Sequence, residues 1–150
     1  MADFMLYWIP GTFDTLLRSG RPLDHLGSNH FHRVRSGDTV WIVTVRSGSL
    51  RLVGRLCVEL VVDTAEARQI LGTDDLWAAG YQAIALSGTE APLRELPLDS
   101  VACLLRFVSP TGRDRLTLSD GYVPAQQLQT MRRLTAESAT LLQSIWASPC

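Results

Sequence analysis

Thr39-Val40-Trp41-Ile42-Val43-Thr44-Val45, followed after Arg46-Ser47-Gly48-Ser49 by the long run Leu50 to Val62, decides the fold. The first run is rich in β-branched residues and almost uniformly apolar, the composition of a central strand. Ser36-Gly37-Asp38 is the turn that opens it. The second turn returns the chain as a partner strand, so the two runs form a hairpin. Gly54 inside the return strand predicts a bulge or a close backbone approach. Long, bent strands of this kind turn the corners of small barrels.

Working outward, Phe4 to Ile9 is apolar and aromatic and stops at Pro10-Gly11, a short first strand ending in a turn. Thr12 to Arg18 suits one or two helical turns before Ser19-Gly20-Arg21-Pro22 breaks the chain. Leu23 to Arg35 is ambiguous, with a helical turn around Asn29-His30-Phe31. After the hairpin, Asp63 with Glu66 forms an acidic capping box and Gly72 a stop, which predicts a helix from Thr64 to Leu71. Tyr81 to Leu86 and Val101 to Val108 read as further strands. Pro124 opens a helical segment carrying Leu128, Met131 and Leu134. Thr135 caps a second one, whose stripe Leu141, Leu142, Ile145 and Trp146 packs on the barrel. The expectation is a single α+β domain over residues 1–150. It is a small bent β-barrel of five to six strands, with flanking helices after the first strand, in the middle and at the C-terminus.

The composition fits that picture and excludes others. Of 150 residues, 46% are hydrophobic and 19% charged, so the chain can bury a core and is not disordered. No apolar run reaches the length of a membrane span. The start, Met1-Ala2-Asp3, lacks the basic residues and cleavage site of a secretory leader, so an intracellular, cytoplasmic protein is expected. Cys57, Cys103 and Cys150 are odd in number and form no CxxC, which argues against a disulfide framework and a cysteine zinc site. Cys57, inside a predicted strand, reads as a small core hydrophobe.

All fourteen basic residues are arginine. Lysine chemistry is therefore excluded: no Walker A lysine, no Schiff base, no lysine general base. Arginine suits planar, bidentate contact with phosphates or base edges. The net charge is -1, too small to draw the chain onto nucleic acid by itself. Its distribution is uneven. Residues 1–62 carry +2, residues 63–105 carry -5, and residues 106–150 carry +2.

Among candidate chemical groups, His25, His30 and His32 lie close together. His30 and His32 on a strand would share a face and could hold a metal with Asp24 or Asp38, although no third ligand is evident. The serines sit in turns without a nucleophile elbow. Asp74-Asp75 reads as a turn cap before Trp77. No metal or cofactor is expected.

The aromatic residues are the better lead. Trp8 ends the first strand just before Pro10. Phe31 lies in the loop Ser28-Asn29-His30-Phe31-His32-Arg33. Trp41 begins the central strand, and Trp77 and Tyr81 flank the next one. In a small barrel the strand ends lie near one another. Two or three of these rings could line a slot, with Ser28, Asn29 and His30 supplying polar contacts. Such a slot suits one planar heterocycle, stacked on its faces and read at its edge. Against this, each tryptophan could be a core residue, and for Trp41 the apolar neighbours on both sides favour the core.

These residues resemble the EVE domain, a branch of the PUA-like superfamily. The resemblance is carried by Leu6-Tyr7-Trp8-Ile9, by the loop Ser28 to Arg33, and by the Gly37-Asp38 turn into Thr39-Val40-Trp41-Ile42-Val43 with Leu52-Val53-Gly54-Arg55-Leu56-Cys57-Val58 after it. It covers roughly the first 62 residues. It implies a PUA-like barrel whose pocket holds a modified nucleobase, bordered here by Trp8 and the Ser28 to His32 loop. Such domains are associated with modified cytosine in DNA, 5-methylcytosine among them, and other PUA-like relatives bind RNA.

The leading expectation is a non-enzymatic module that binds a modified base in DNA. Trp8, Pro10, Ser28, Asn29, His30, Phe31, Arg33, Trp41 and Trp77 are its candidate contacts, and Trp8→Ala or Phe31→Ala should abolish selective binding while leaving the fold intact. One alternative is a small metal-dependent nuclease working through the histidines. Another is a protein-interaction domain in a bacterial defence or restriction system, with the acidic middle as its partner surface.

Overall fold

The computed structural model describes residues 1–147 and residue 150. Strand β1 (Asp3–Tyr7) leads into helix α1 (Pro10–Ser19), strand β2 (His25–Gly27) and a 3-10 turn at Asn29–Arg33. The hairpin follows as β3 (Thr39–Arg46) and β4 (Ser49–Asp63), then α2 (Thr64–Leu71) and β5 (Tyr81–Ala85). The two-residue strand β6 (Leu96–Pro97), the strand β7 (Arg132–Arg133) and helix α3 (Ala136–Trp146) complete the set. The seven strands form one mixed sheet in the order β2-β5-β4-β3-β1-β7, with β6 also paired to β4. Among the described residues, only β1 and β3 run parallel. Among the described residues no pairing joins β2 to β7, so closure of the expected barrel is not seen.

The uniform apolarity of β3 has a direct cause. Both faces of the sheet are buried, and alternate residues serve different cores. Phe4 and Leu6 of β1, with Trp8 just after it, join Val40 and Ile42 in one core with Phe13, Leu26 and Phe31. Met5, Trp41 and Val43 join a second core with Phe107, Leu142 and Trp146. Strand β4 changes allegiance partway. Leu50 and Leu52 belong to the second core, whereas Val53, Leu56 and Val58 belong to the first. The switch is a bulge: Ile42 faces Gly54 but Val43 faces Leu52, leaving Val53 as the extra residue. A side chain at Gly54 would begin 3.2 Å from Ile42 Cδ1 and Leu93 Cδ2, so the backbone approaches closely there. A second irregularity between Val58 and Leu60 leaves the exposed Glu59 unpaired as β4 bends over to β5.

The caps follow their chemistry. Asp63 accepts from the Glu66 amide at 2.8 Å to start α2, and Thr135 Oγ1 accepts from the Ser138 amide at 3.3 Å to start α3. Three expectations are corrected. Val101 to Val108 is not a strand; it forms a 3-10 turn at Ala102–Leu104 and isolated bridges at Arg106 and Phe107. Ala102 and Leu105 are buried three apart across the turn, and only Leu105 and Phe107 alternate as a strand would, over too short a run to pair beyond isolated bridges. Leu128, Met131 and Leu134 do not share a helix: a 3-10 turn spans Ala125–Leu128, and β7 then pairs with β1. Their helical spacing arises because the chain crosses from one core to the other, Met131 entering the first and Leu134 the second. Finally, Cys57 is joined to Cys150 in a disulfide, while Cys103 is exposed and free. Cys57 pairs with Thr39 two residues beyond Arg55, on the face that α3 covers, and the 93-residue separation gives no sequence signal.

Candidate functional site

The register of β1 and β3 sorts the aromatic candidates. Leu6 faces Ile42 and Met5 faces Trp41, so Trp8 and Trp41 project to opposite sides of the sheet. Trp41 is 1% exposed, and its Nε1 donates to Asp3 Oδ1 at 2.9 Å. The Arg55 guanidinium lies over both Trp41, at 6.0 Å, and Trp146, at 5.8 Å. Trp41 therefore belongs to the docking surface of α3 and cannot line a slot with Trp8. Phe31 is fully buried in the first core and offers no ring face to a ligand. Pro10 occupies the first turn of α1, where its missing N–H leaves no helix bond unmade.

Trp8 and Trp77 do meet. Their rings stack with centroids 5.3 Å apart and planes at 26°. Trp8 is 5% exposed, and Trp77 is half-buried against the same core. Between Thr73 and Gly80, among the described residues, backbone bonds are local, Leu76 to Asp74 and Ala79 to Trp77. Side chains tie this segment to the rest. Gln82 Nε2 donates to the Trp77 carbonyl at 2.9 Å, Thr64 Oγ1 donates to the Ala79 carbonyl at 2.7 Å, and Asn29 Oδ1 accepts from the Gly80 amide at 2.8 Å. Gly27 makes the seat possible, because a Cβ there would lie 2.2 Å from Trp77 Cβ. Gln82 is itself fully buried, and its Oε1 has no hydrogen-bond partner among the described residues.

The Ser28 to Arg33 turn frames this seat. Ser28 Oγ accepts from the His30 amide at 3.1 Å and so caps the turn. His32 Nδ1 meets the Asn29 carbonyl at 3.0 Å, and its ring lies 6.4 Å from that of Tyr81. His32 and Tyr81 border a hollow of about 450 Å³ with Arg35, Ser36 and Leu60. His25 is engaged with Asp24 at 2.6 Å, and Asp38 is buried, accepting from the Ala2 and Arg35 amides at 2.8 Å each. His30 and His32 lie in a 3-10 turn, not on a strand. Among the described residues no group of three or more His, Cys, Asp or Glu is placed to hold a metal ion.

Sequence reasoning missed a second feature. A groove of about 840 Å³ is lined by Arg33, Arg113, Arg115, Arg132 and Arg133. Of the described residues lining it, one, Asp114, is acidic, and Ser109, Thr111 and Gln126 add polar groups. Arg132 is laid flat, its guanidinium 3.9 Å from the Phe107 ring centroid and donating to the Arg113 carbonyl. Burial pulls the Arg132 pKa down, and neighbouring Asp114 pulls it partly back. Arg33 lies 5.6 Å over the Phe4 ring and donates to the Met131 carbonyl at 3.1 Å. The Arg33 turn thus begins at the Trp77 segment, through Asn29, and ends in the groove. The groove's remaining arginines are scattered over residues 113–133, and only the basic balance of residues 106–150 hinted at them.

No protein-family model matches the chain, and no curated protein sequence matches it. Its fold is shared with a solved structure. ZmASCH from Zymomonas mobilis, solved as a serine-to-alanine mutant, superposes with a TM-score of 0.51 at 12% sequence identity, covering 95% of each chain. A hypothetical protein from Leishmania major gives a TM-score of 0.49 at 13% identity, covering 98% of this chain and 96% of its own. At these identities the likeness concerns the fold. No helix is long and apolar enough to cross a membrane, among the described residues.

Proposed function

We propose that the chain is a non-enzymatic nucleic-acid-binding module that reads one modified base, a modified cytosine in DNA. The observation that carries the proposal is the arginine groove. Five guanidiniums against one carboxylate form a strongly cationic channel on a chain whose net charge is -1. Guanidinium forks match phosphate oxygens in a bidentate way. A groove of this kind fixes a phosphate backbone and carries no sequence information. Reading a base needs a second element, and Trp8 supports that role. Arg33 and Asn29 belong to one short turn, so a strand held in the groove is led toward the Trp8–Trp77 stack. The resemblance of Leu6 to Ile9 and of the Ser28 to Arg33 loop to EVE domains supports a modified cytosine as the base.

A binding panel tests this reading. The oligonucleotides carry one central cytosine, 5-methylcytosine or 5-hydroxymethylcytosine in DNA, with an RNA of the same sequence beside them. Wild type should prefer one modified DNA. Trp8→Phe, which keeps a ring in the core, should weaken that preference while leaving salt-dependent binding in place. The triple variant Arg113→Gln, Arg115→Gln, Arg133→Gln should weaken both. Equal affinity across the panel would remove the base-reading role, and substrate cleavage by pure protein with added divalent ions would make it a nuclease.

A further inference from the structure

We infer that Trp77 stands in for the ligand: its indole occupies the place on Trp8 that a planar heterocycle bearing an exocyclic amine takes on binding, with Gln82 Oε1 accepting from that amine. The inference rests on the base-reading role proposed above and specifies how the slot opens and what it selects. Trp8 and Trp77 sit 5.3 Å apart, the separation of a single stacked contact, roughly 4.5–7 Å between centroids. A third ring does not fit between them. A base therefore reaches Trp8 only by replacing Trp77. A pyrimidine is smaller than an indole and fits the volume vacated.

The segment that carries Trp77 is built to leave. Its backbone bonds are local, and the side chains of Asn29, Thr64 and Gln82, with an exposed ion pair from Arg68 to Asp74, tie it to the rest. Segments so weakly tied open at lower free energy than the surrounding sheet. Gln82 supplies selection. Its Nε2 holds the Trp77 carbonyl, while Oε1 is buried and unpaired. A buried acceptor without a donor costs free energy, and an N–H from the ligand recovers it. Cytosine and adenine carry an exocyclic amine, whereas thymine presents a carbonyl oxygen at that edge.

The test compares wild type with Trp77→Ala and Gly27→Ala. Free 1-methylcytosine and 1-methylthymine are the probes, read by saturation-transfer NMR and calorimetry, alongside the oligonucleotide panel. Gly27→Ala adds a methyl that would lie 2.2 Å from Trp77 Cβ and 2.8 Å from Gln82 Nε2, so it unseats the ring and pushes the amide end aside, and Trp77→Ala is the variant that reads selectivity. Circular dichroism establishes that each variant is folded, so either one can decide. Both should bind 1-methylcytosine roughly tenfold more tightly than wild type, the scale of one stacking contact, with no gain for 1-methylthymine in Trp77→Ala. Weaker binding in both makes Trp77 a permanent wall of the site, and unchanged binding makes the stack core packing; either overturns the inference. In wild type, saturating 1-methylcytosine should speed amide exchange between Thr73 and Gly80, and protection there would overturn it equally. Capture of 1-methylcytosine by Trp77→Ala without oligonucleotide binding by any form keeps the slot and removes the nucleic-acid role. Oligonucleotide binding without any gain for 1-methylcytosine does the reverse.

Discussion

Trp8 and Trp41 have the same side chain and opposite fates, and the difference is one of parity. Leu6 pairs with Ile42 and Met5 with Trp41, so one tryptophan enters each core. Register alone decides this, and a sequence without a known partner strand does not contain the register. Phe31 shows the same limit. Its polar neighbours Asn29, His30 and His32 suggest a solvent loop, yet the 3-10 turn points its ring inward. Phe31→Ala is therefore expected to destabilise the domain by about 3–5 kcal/mol, as a fully buried aromatic does, rather than leave the fold intact. A urea titration checks it, and a shift below 1 kcal/mol would place Phe31 outside the core after all. Arg46 gives a residue-scale prediction of a different kind. It hydrogen-bonds Asp14 and Glu95 at 2.8 Å each, and the bond to Arg46 holds the Asp14 carboxyl below the usual aspartate range. A depressed folded pKa stabilises above the unfolded pKa and is lost as pH falls through the folded one. Asp14→Asn should thus lower the melting temperature slightly at neutral pH and converge with wild type below about pH 4.

At the scale of elements, the sequence was most legible where local chemistry decides. The Asp63 cap, the Gly72 stop, the Thr135 cap and the Gly54 bulge are each readable from a few adjacent residues, and each is present. The segment from Val101 to Leu134 was misread because its apolar residues serve two cores in irregular structure. The attachment of α3 was equally hidden. Arg94 lies 4.2 Å over Trp146 and donates to its carbonyl at 2.6 Å, Arg55 reaches Gln143 at 3.2 Å, and the Cys57–Cys150 disulfide closes the end. All three contacts join residues far apart in sequence. A disulfide closing a loop this long restricts the unfolded chain, and its removal costs roughly 2–5 kcal/mol. Cys57→Ala, or reduction of wild type, should lower the melting temperature by about 5–15 °C, at the few degrees per kcal/mol expected for a chain of this length. An unchanged melting temperature under reductant would show that α3 is held by Trp146 and the two arginines alone. Because α3 packs on the face opposite Trp8, neither change should alter oligonucleotide selectivity.

For the whole molecule, the fold separates charges that the sequence only averages. The acidic balance of residues 63–105 nearly cancels the basic balances of the two ends, leaving a net charge of -1, yet five arginines gather in one groove. The aromatic half of the candidate site was visible early, through Trp8, Trp77 and the Ser28 to Arg33 turn. The groove was not, because β7 brings Arg132 and Arg133 beside β1 through tertiary pairing, and Arg113 and Arg115 lie in a loop without pattern. The most direct measurement is the salt dependence of affinity for one single-stranded oligonucleotide, in wild type and in the Arg113, Arg115 and Arg133 triple glutamine variant. Wild type should show log K falling with log salt at a slope of about -3.5, five phosphate contacts at roughly 0.7 each, and the variant, with two arginines left, should fall to about -1.4. Equal slopes for the two proteins would contradict the groove as the nucleic-acid interface.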